Sequence, residues 1–220
     1  MRTPSKRILI SDFDGTMTKY DFFDLARRDL PSAASHDFWQ DYVDGRITHF
    51  EALAGIFAAI RTDVPTLENL IDRMELDPAL PAAIARLRAA GWTVIVASAG
   101  CDWYIRRLLA KAGVELEVHA NPGTFAPETG LQLSLPTASP FFKRETGIDK
   151  SAIVRHALAQ DPRAAFAGDG RPDLAPSSLV SPSRRFARGW LAHHLKKNKE
   201  PFHPFERWSN IADQLLEEQP

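Results

Sequence analysis

The sequence predicts an α/β protein with a doubly wound parallel sheet and a mostly helical segment inserted after the first strand. Three short apolar runs, at residues 8–10, 93–97 and 164–167, end at polar residues or glycine. Such runs are typical of strands that are covered on both faces. Helical patterns separate the three runs, and this alternation predicts a parallel sheet with right-handed crossovers.

Helical signals dominate the segment from residue 17 to residue 90 between the first two strands. Thr48 and Glu51 have capping-box spacing before an amphipathic stretch. Asp77-Pro78 is expected to supply the N-cap and the first residue of the last helix, and Gly91 is expected to follow its end. The predicted helices of this segment begin near Phe22, Phe38, Thr48, Leu67 and Asp77.

The second half of the chain returns to alternating strands and helices. The β-branched run at residues 93–97 predicts a strand that stops at Ser98. The segment at 121–142 is rich in proline and glycine and has alternating leucines, which predicts a hairpin-like excursion. The other expected elements are a helix over 102–112, a third strand near 114–118, a helix over 149–159 capped by Asp149, and the strand at 164–167.

Composition restricts the class of protein. With 220 residues, 44% hydrophobic and 25% charged, the chain matches ordinary globular usage and can bury one sizeable core. It has no apolar span of membrane-crossing length, so we expect no membrane association. The formal net charge of −1 gives no global field that would attract nucleic acid.

Cysteine content and the first residues bear on the cellular compartment. Cys101 is the only cysteine, so no disulfide can form within the chain, which fits a reducing environment. The basic segment 1–7 is followed by only three apolar residues, too few for the core of a secretory signal. We therefore expect a cytoplasmic location.

Asp12 and Asp14 carry the strongest functional signal, because they directly follow the first predicted strand. Side chains at positions i and i+2 of an extended segment point the same way, so both carboxylates can face one space at the edge where parallel sheets bind ligands. A hard divalent ion such as Mg²⁺ would relieve their repulsion. The alternative interpretation is a polar turn in which Gly15 supplies a positive φ.

Three further polar residues occupy strand ends of the same predicted sheet. Ser98 follows the second strand, and Asp169 and Asp173 follow the strand at 164–167. Lys150 opens the helix just before that strand. Each residue alone has a structural explanation as a turn or surface residue. Together they supply metal ligands, a hydroxyl donor, a fixed cation and a nucleophile, the set that a phosphate monoester requires.

These motifs resemble those of the haloacid dehalogenase-like hydrolases, in the same order along the chain. The motifs are Asp12-Phe13-Asp14-Gly15-Thr16, Ser98 after its strand, Lys150, and Gly168-Asp169 with Asp173. The helical insert resembles the cap of the phosphoserine phosphatase branch. The resemblance implies a Rossmann-like core of residues 1–16 and 86–220 with a helical cap of residues 17–85. The stretches Phe186–Gly189 and Pro201–Phe205 are similar to phosphatases that act on a methylthiopentenyl phosphate of methionine salvage.

The resemblance also implies a role for each site residue. Asp12 would attack phosphorus to give an aspartyl phosphate, and Asp14 would act as general acid and then general base. Asp12, the backbone carbonyl of Asp14, and Asp169 would bind Mg²⁺. Asp173 would orient these ligands or touch the ion itself.

Substrate contacts are implied in the same way. Ser98 with Ala99 and Gly100, and Lys150, would hold the phosphate of a small phosphorylated metabolite. Asp21 falls where relatives of this branch place an acidic residue near substrate, and a helix N-cap is its alternative role. The oligomeric state is left open.

The sequence leaves one other substrate and two other activities open. Phosphoserine is the alternative substrate. A phosphomutase would pass the phosphoryl group from Asp12 to another hydroxyl. A non-hydrolytic phospho-acceptor switch shares a similar sheet and an acidic Mg²⁺ site, but neither the helical insert nor Asp14 favours it.

Overall fold

The computed structural model describes residues 7–217, so the ends of the expected core, residues 1–6 and 218–220, lie outside the described part. The first half contains one strand followed by five helices, which confirms the expected helical insert. Its elements are β1 (Arg7–Ser11), α1 (Phe22–Asp29), α2 (Phe38–Val43), α3 (His49–Ala58), α4 (Val64–Asp72) and α5 (Leu80–Ala89).

The middle of the chain forms two more core strands and a pair of small antiparallel sheets. Its elements are β2 (Trp92–Cys101), α6 (Asp102–Lys111), β3 (Glu117–Asn121), β4 (Gly123–Ala126), β5 (Gly130–Leu133), β6 (Phe142–Lys143) and β7 (Gly147–Ile148). Strands β4 and β5 pair antiparallel, so the expected hairpin is confirmed. Gly130 has φ +80°, and its α-carbon lies so close to the backbone of Ala58 and Ile60 that a side chain would clash.

The last part of the chain completes the sheet and covers it with helices. Its elements are α7 (Lys150–Gln160), β8 (Ala165–Gly168), α8 (Leu174–Ser177), β9 (Arg185–Ala187), α9 (Gly189–Lys197), β10 (His203–Pro204) and α10 (Trp208–Glu217). The patterns at 8–10, 93–97 and 164–167 each correspond to a strand. The short strands β9 and β10 and helix α10 have no counterpart in the sequence prediction.

The central sheet has six strands in the order β10-β9-β8-β1-β2-β3, all parallel. This arrangement confirms the doubly wound fold. Leu9 packs into one apolar layer, while Ile8 and Ile10 pack into the layer on the opposite face. The chain leaves β1 toward β2 on one side and returns as β8 on the other, so the order of the sheet reverses at β1. Such a reversal point is where open parallel sheets form their binding crevice.

Two local expectations are wrong, and a third is shifted along the chain. Asp77 does not cap α5, which begins at Leu80 with Ala79 at its N-cap; the Asp77 carboxylate instead accepts from the N–H groups of Ala79 at 2.9 Å and Ser209 at 2.7 Å. Strand β2 does not stop at Ser98 but continues to Cys101, with an irregular register against β3 after Ala97. The third strand, β3, begins three residues after its expected start.

The insert is joined to the sheet by two adjacent segments. Thr18 and Leu76 form an antiparallel bridge, and the N–H of Asp77 donates to the carbonyl of Met17 at 3.1 Å. The division into a core of 1–16 and 86–220 and a cap of 17–85 stays a prediction; its second boundary falls inside α5.

No helix in the described part of the chain combines the length and apolar character that a transmembrane segment requires.

Candidate active site

The carboxylates expected to bind metal meet at the carboxyl ends of β1 and β8. One oxygen each of Asp12, Asp169 and Asp173 lies within 4.8 Å of the others, although Asp169 follows Asp12 by 157 positions in the chain. The pairing of β1 with β8 brings them together, and the N–H of Asp12 donates to the carbonyl of Ala167 at 2.9 Å. Three carboxylates at this spacing form a donor set suited to a hard divalent cation.

The loop after β1 is shaped around Asp169. Gly15 has φ +65°, and any side chain there would collide with the Asp169 carboxylate. Thr16 Oγ1 donates to Asp169 Oδ1 at 3.0 Å, and the N–H of Gly15 donates to Thr18 Oγ1 at 3.1 Å. Gly15 therefore has the positive φ that the alternative turn interpretation required, and the same turn fixes a residue of the acidic cluster.

Lys150 is the cation expected at this site, and it lies between two of the carboxylates. Its Nζ is 2.8 Å from Asp12 Oδ1 and 2.7 Å from Asp173 Oδ1, and its side chain is 6% exposed. Asp149 places it there by capping α7, accepting from the N–H of Ala152 at 3.0 Å. Burial alone would lower the pKa of Lys150, but the two carboxylates raise it above its ordinary value, so the ammonium form persists.

Asp173 holds the loop that follows β8. Its Oδ2 accepts from the N–H groups of Asp169 at 3.1 Å and Gly170 at 3.0 Å, while its Oδ1 binds Lys150. The side chain is fully buried. Asp173 therefore holds both Asp169 and Lys150 in place, and its role in orienting metal ligands stays a prediction.

The Asp14 side chain has its hydrogen-bond partners on β2, on α6 and at the start of the insert. Its Oδ2 accepts from the Tyr104 hydroxyl at 2.8 Å and from Ser98 Oγ at 3.4 Å, and its Oδ1 accepts from the N–H of Phe22 at 3.2 Å. Burial raises the pKa of the Asp14 carboxyl, and the hydrogen bond from Tyr104 opposes that rise. A carboxyl group with a raised pKa can carry a proton near neutral pH, as a general acid must.

The electrostatics of the cluster favour an added cation. Burial and the charges of Asp173 and Asp169 raise the pKa of Asp12 well above its ordinary value, with Lys150 opposing them. Burial and Asp173 raise the pKa of Asp169 to about 7. One lysine thus compensates only part of the negative charge of Asp12, Asp169 and Asp173. The residues present fit a divalent metal ion, because a second cation would stabilise their ionised forms.

A cavity of about 220 Å³ opens above these groups. The sheet side of its wall contains Asp12, Asp14, Ser98, Ala99, Gly100, Lys150, Asp169, Gly170, Arg171, Pro172 and Trp190, together with Tyr104 from α6. The insert side contains Asp21, Phe23, Trp39, Tyr42, His49, Leu53 and Phe57. All residues expected to bind substrate, Asp21, Ser98, Ala99, Gly100 and Lys150, therefore lie on one cavity. Asp21 both lines it and caps α1, accepting from the N–H of Phe23 at 3.0 Å.

Sequence reasoning missed several residues of this site. Tyr104 lies on the inner face of α6, two residues into a helix that follows Ser98, and its position at the start of that helix was the available signal. His49 and the rings of the insert gave no local signal, since only the tertiary fold brings them to the cavity. Arg188 belongs to the stretch 186–189, which the sequence singled out only for its similarity to other phosphatases. Its guanidinium donates to the carbonyls of Thr18 at 3.0 Å and Lys19 at 3.1 Å, so it holds the connection to the insert.

Solved structures share this fold at low sequence identity. A HAD family hydrolase from Salmonella enterica serovar Typhi has a TM-score of 0.71 at 18% identity, with 100% of this chain and 74% of that chain covered. A substrate-bound phosphoserine phosphatase complex has a TM-score of 0.65 at 16% identity, with 93% and 95% covered. A phosphoserine phosphatase from T. onnurineus in complex with NDSB-201 has a TM-score of 0.65 at 15% identity, with 99% and 98% covered.

Sequence comparison gives the family directly. No curated protein matches the chain. The family model of haloacid dehalogenase-like hydrolases matches residues 9–175, a span that runs from β1 through Asp12, Ser98 and Lys150 to Asp173. Because this match covers well over half of the chain, the protein belongs to the haloacid dehalogenase-like hydrolases.

Proposed function

We propose that this hydrolase is a Mg²⁺-dependent phosphomonoester phosphatase that acts on a small phosphorylated metabolite. The observation that carries the proposal is the convergence of Asp12, Asp169 and Lys150 beside Asp14 in one cavity. Asp12, the backbone carbonyl of Asp14, and Asp169 would hold the ion. When bound, Mg²⁺ would neutralise charge on the phosphoryl oxygens and on the attacking carboxylate.

The first half-reaction uses Asp12 and Asp14. Lys150 binds Oδ1 of Asp12, which leaves Oδ2 to form a bond to phosphorus while the bond from phosphorus to the ester oxygen breaks. Asp14, protonated, gives its proton to the departing alkoxide. Ser98 and Lys150 hold phosphoryl oxygens during this step. The products are an aspartyl phosphate on Asp12 and the free alcohol.

The second half-reaction reverses the role of Asp14. Its carboxylate takes a proton from water as the water oxygen bonds to phosphorus and the bond to Asp12 breaks. Inorganic phosphate leaves, and both side chains return to their starting states. The Tyr104 hydroxyl keeps the Asp14 carboxyl aimed into the cavity in both steps.

The experiment that tests this proposal measures phosphate release by purified protein with Mg²⁺. The panel contains phenyl phosphate, phosphoserine, sugar phosphates and methylthio-ketose phosphates. Release from phenyl phosphate without a sugar acceptor contradicts the phosphomutase alternative. A long-lived aspartyl phosphate seen by mass spectrometry, without phosphate release, would favour the phospho-acceptor switch.

Metal removal is expected to abolish activity. Treatment with EDTA followed by gel filtration should lower phosphate release to background, because the carboxylates around Asp12 would repel an anionic substrate. Mg²⁺ should restore activity and raise the thermal midpoint; at a hundredfold excess over Kd, binding to the folded state contributes about 2.7 kcal/mol. Full activity of the EDTA-treated protein would contradict the metal assignment.

Gly100→Ala is expected to lower kcat substantially. A side chain at Gly100 would collide with the Tyr104 hydroxyl and with Asp14 Oδ2, and so would separate the acid from its orienting partner. We expect a loss of about 10²-fold in kcat, the range of a misplaced general acid. Gly113→Ala is the control for a general loss of stability: nothing lies within 4 Å of the added side chain, but the φ of +67° strains the backbone there, so this variant should be less stable and keep the wild-type kcat. Equal kcat for wild type and Gly100→Ala would argue against Asp14 as the acid.

We also infer a cytoplasmic location from the single cysteine, and no nucleic-acid partner from the net charge of −1.

A further inference from the structure

The insert contributes an aromatic wall to the cavity. Phe23 and Trp39 stack with centroids 4.4 Å apart, and Trp39 lies 5.2 Å from Tyr42. Tyr42 in turn meets His49 edge to face, at 5.3 Å and 79°. These four residues, which we call the aromatic wall, all line the cavity that contains Asp12.

No lysine or arginine of the described chain lies over the aromatic wall. Within residues 7–217, the guanidinium and ammonium groups that lie over rings do so at Tyr20, Trp92, Trp103, Trp190 and Phe205. None of these rings belongs to the aromatic wall. His49 adds no positive charge, since burial and the nearby Lys150 lower its pKa to about 4. Phe23 and Trp39 cover one face of each other, so the ring surface that lines the cavity is what remains to bind the positive charge of a ligand.

Asp21 places an uncompensated carboxylate beside the aromatic wall. It accepts one hydrogen bond, from the N–H of Phe23, and no lysine, arginine or histidine in the described chain forms an ion pair with it. Burial and the charge of Asp14 raise the pKa of Asp21 well above its ordinary value. A cationic ligand would supply the charge that the protein does not.

The two ends of the cavity therefore have opposite preferences. Lys150 and the proposed metal ion serve the phosphate end, whereas the insert end carries rings and a carboxylate. Arg171, the other basic residue on the cavity, is exposed, and its guanidinium lies 5.2 Å from the centroid of Trp190 on the sheet side. A carboxylate on the leaving group would meet no cation at the insert end and would be repelled by Asp21.

Building on the proposed phosphatase activity, we propose that the leaving group of the substrate is an alcohol that bears an ammonium group and no carboxylate. The ammonium group would lie against Trp39 and Tyr42 and pair with Asp21. The substrate is then an amino-alcohol phosphate rather than phosphoserine.

The test compares two esters of the same shape. Phosphocholine carries a trimethylammonium group, and 3,3-dimethylbutyl phosphate has a neutral carbon in place of its nitrogen. With Mg²⁺ present, we expect kcat/KM for phosphocholine to exceed that for the neutral ester by about tenfold or more, the effect of a desolvated cation on aromatic rings. Phosphoserine should be the poorest of the three.

Variants then locate the source of this preference. Asp21→Asn should shrink the ratio of the two kcat/KM values to about threefold or less, and Trp39→Leu should reduce it as well. Asp24→Asn is the matched control, because Asp24 lies on the same helix but is exposed and outside the cavity. It should keep the wild-type ratio.

The outcomes separate this inference from the proposed function. Equal rates for the two esters, a ratio unchanged by Asp21→Asn, or a preference for phosphoserine overturns the inference while leaving the phosphatase intact. Failure to hydrolyse any ester, including phenyl phosphate, overturns the proposed function. In that case, calorimetry with the same two esters decides the inference: tighter binding of phosphocholine supports it, and equal or undetectable binding overturns it.

Discussion

Asp12→Asn is expected to lower kcat by about 10⁴-fold or more, equivalent to about 5.4 kcal/mol of activation free energy. The amide cannot form the acyl phosphate that the carboxylate forms, and the neighbouring carboxylates have other partners. Asp14 is held by Tyr104 and Phe22, Asp169 accepts from Thr16, and Asp173 is held by Lys150 and two backbone N–H groups. The measurement is phosphate release from phenyl phosphate at saturating Mg²⁺, with mass spectrometry for a phosphorylated protein.

The fold should survive this substitution. Asparagine is close in size to aspartate, its amide oxygen can accept from Lys150, and the loss of one charge reduces repulsion from Asp169 and Asp173. Circular dichroism and a thermal midpoint near that of the wild type would show this. Asp102→Asn is the control. Like Asp12 after β1, Asp102 directly follows a strand of the sheet, β2, but it lies outside the cavity. Substantial turnover by Asp12→Asn would rule out Asp12 as the nucleophile.

Lys150→Met is expected to affect both catalysis and stability. The thioether has a similar length but no charge, so Asp12 and Asp173 lose the cation that lies 2.8 Å and 2.7 Å away. We expect kcat/KM to fall by about 10³-fold, as after removal of a group that stabilises transition-state charge. Breaking a buried ion pair should also cost about 3 kcal/mol of unfolding free energy.

Mg²⁺ provides a second measurement on the same variant. The wild type and Lys150→Met are compared by urea unfolding with and without the metal, and the metal should recover part of the lost stability, because it compensates the same carboxylates. Lys111→Met is the matched control; Lys111 forms an exposed ion pair with Asp72, worth about 1 kcal/mol or less. Wild-type activity in Lys150→Met would remove the lysine from the mechanism.

The sheet and its acidic edge could be predicted because their signals are local. The run at 8–10 followed by Asp12 and Asp14 shows a strand and its reactive loop within a few residues, and Asp149 before Lys150 shows where a helix begins. The parallel order then places Asp12 near Asp169 without further information. Strands β9 and β10 could not be found this way, since three and two residues are too short for any period to be visible.

The errors have physical causes in neighbouring residues. Small residues after Ala97 allow β2 to continue in extended form, so a polar serine did not end the strand. The Asp77 carboxylate accepts from two N–H groups, one of them on Ser209 in α10. This tertiary contact draws Asp77 away from capping α5. The aromatic wall was invisible for a similar reason: Trp39 and Tyr42 have the spacing of any amphipathic helix, and only the folded insert turns them toward Asp21.

The bridge between Thr18 and Leu76 means that the insert leaves and rejoins the sheet at almost the same point. In engineering, such a junction favours modular exchange, because a graft has to match two adjacent attachment points and the packing of α3 on the hairpin of β4 and β5. Inserts from other members could therefore be transplanted between these residues while Asp12, Lys150 and Asp169 stay in place. Chimeras of this kind would change the substrate preference while the catalytic residues of the sheet stay the same.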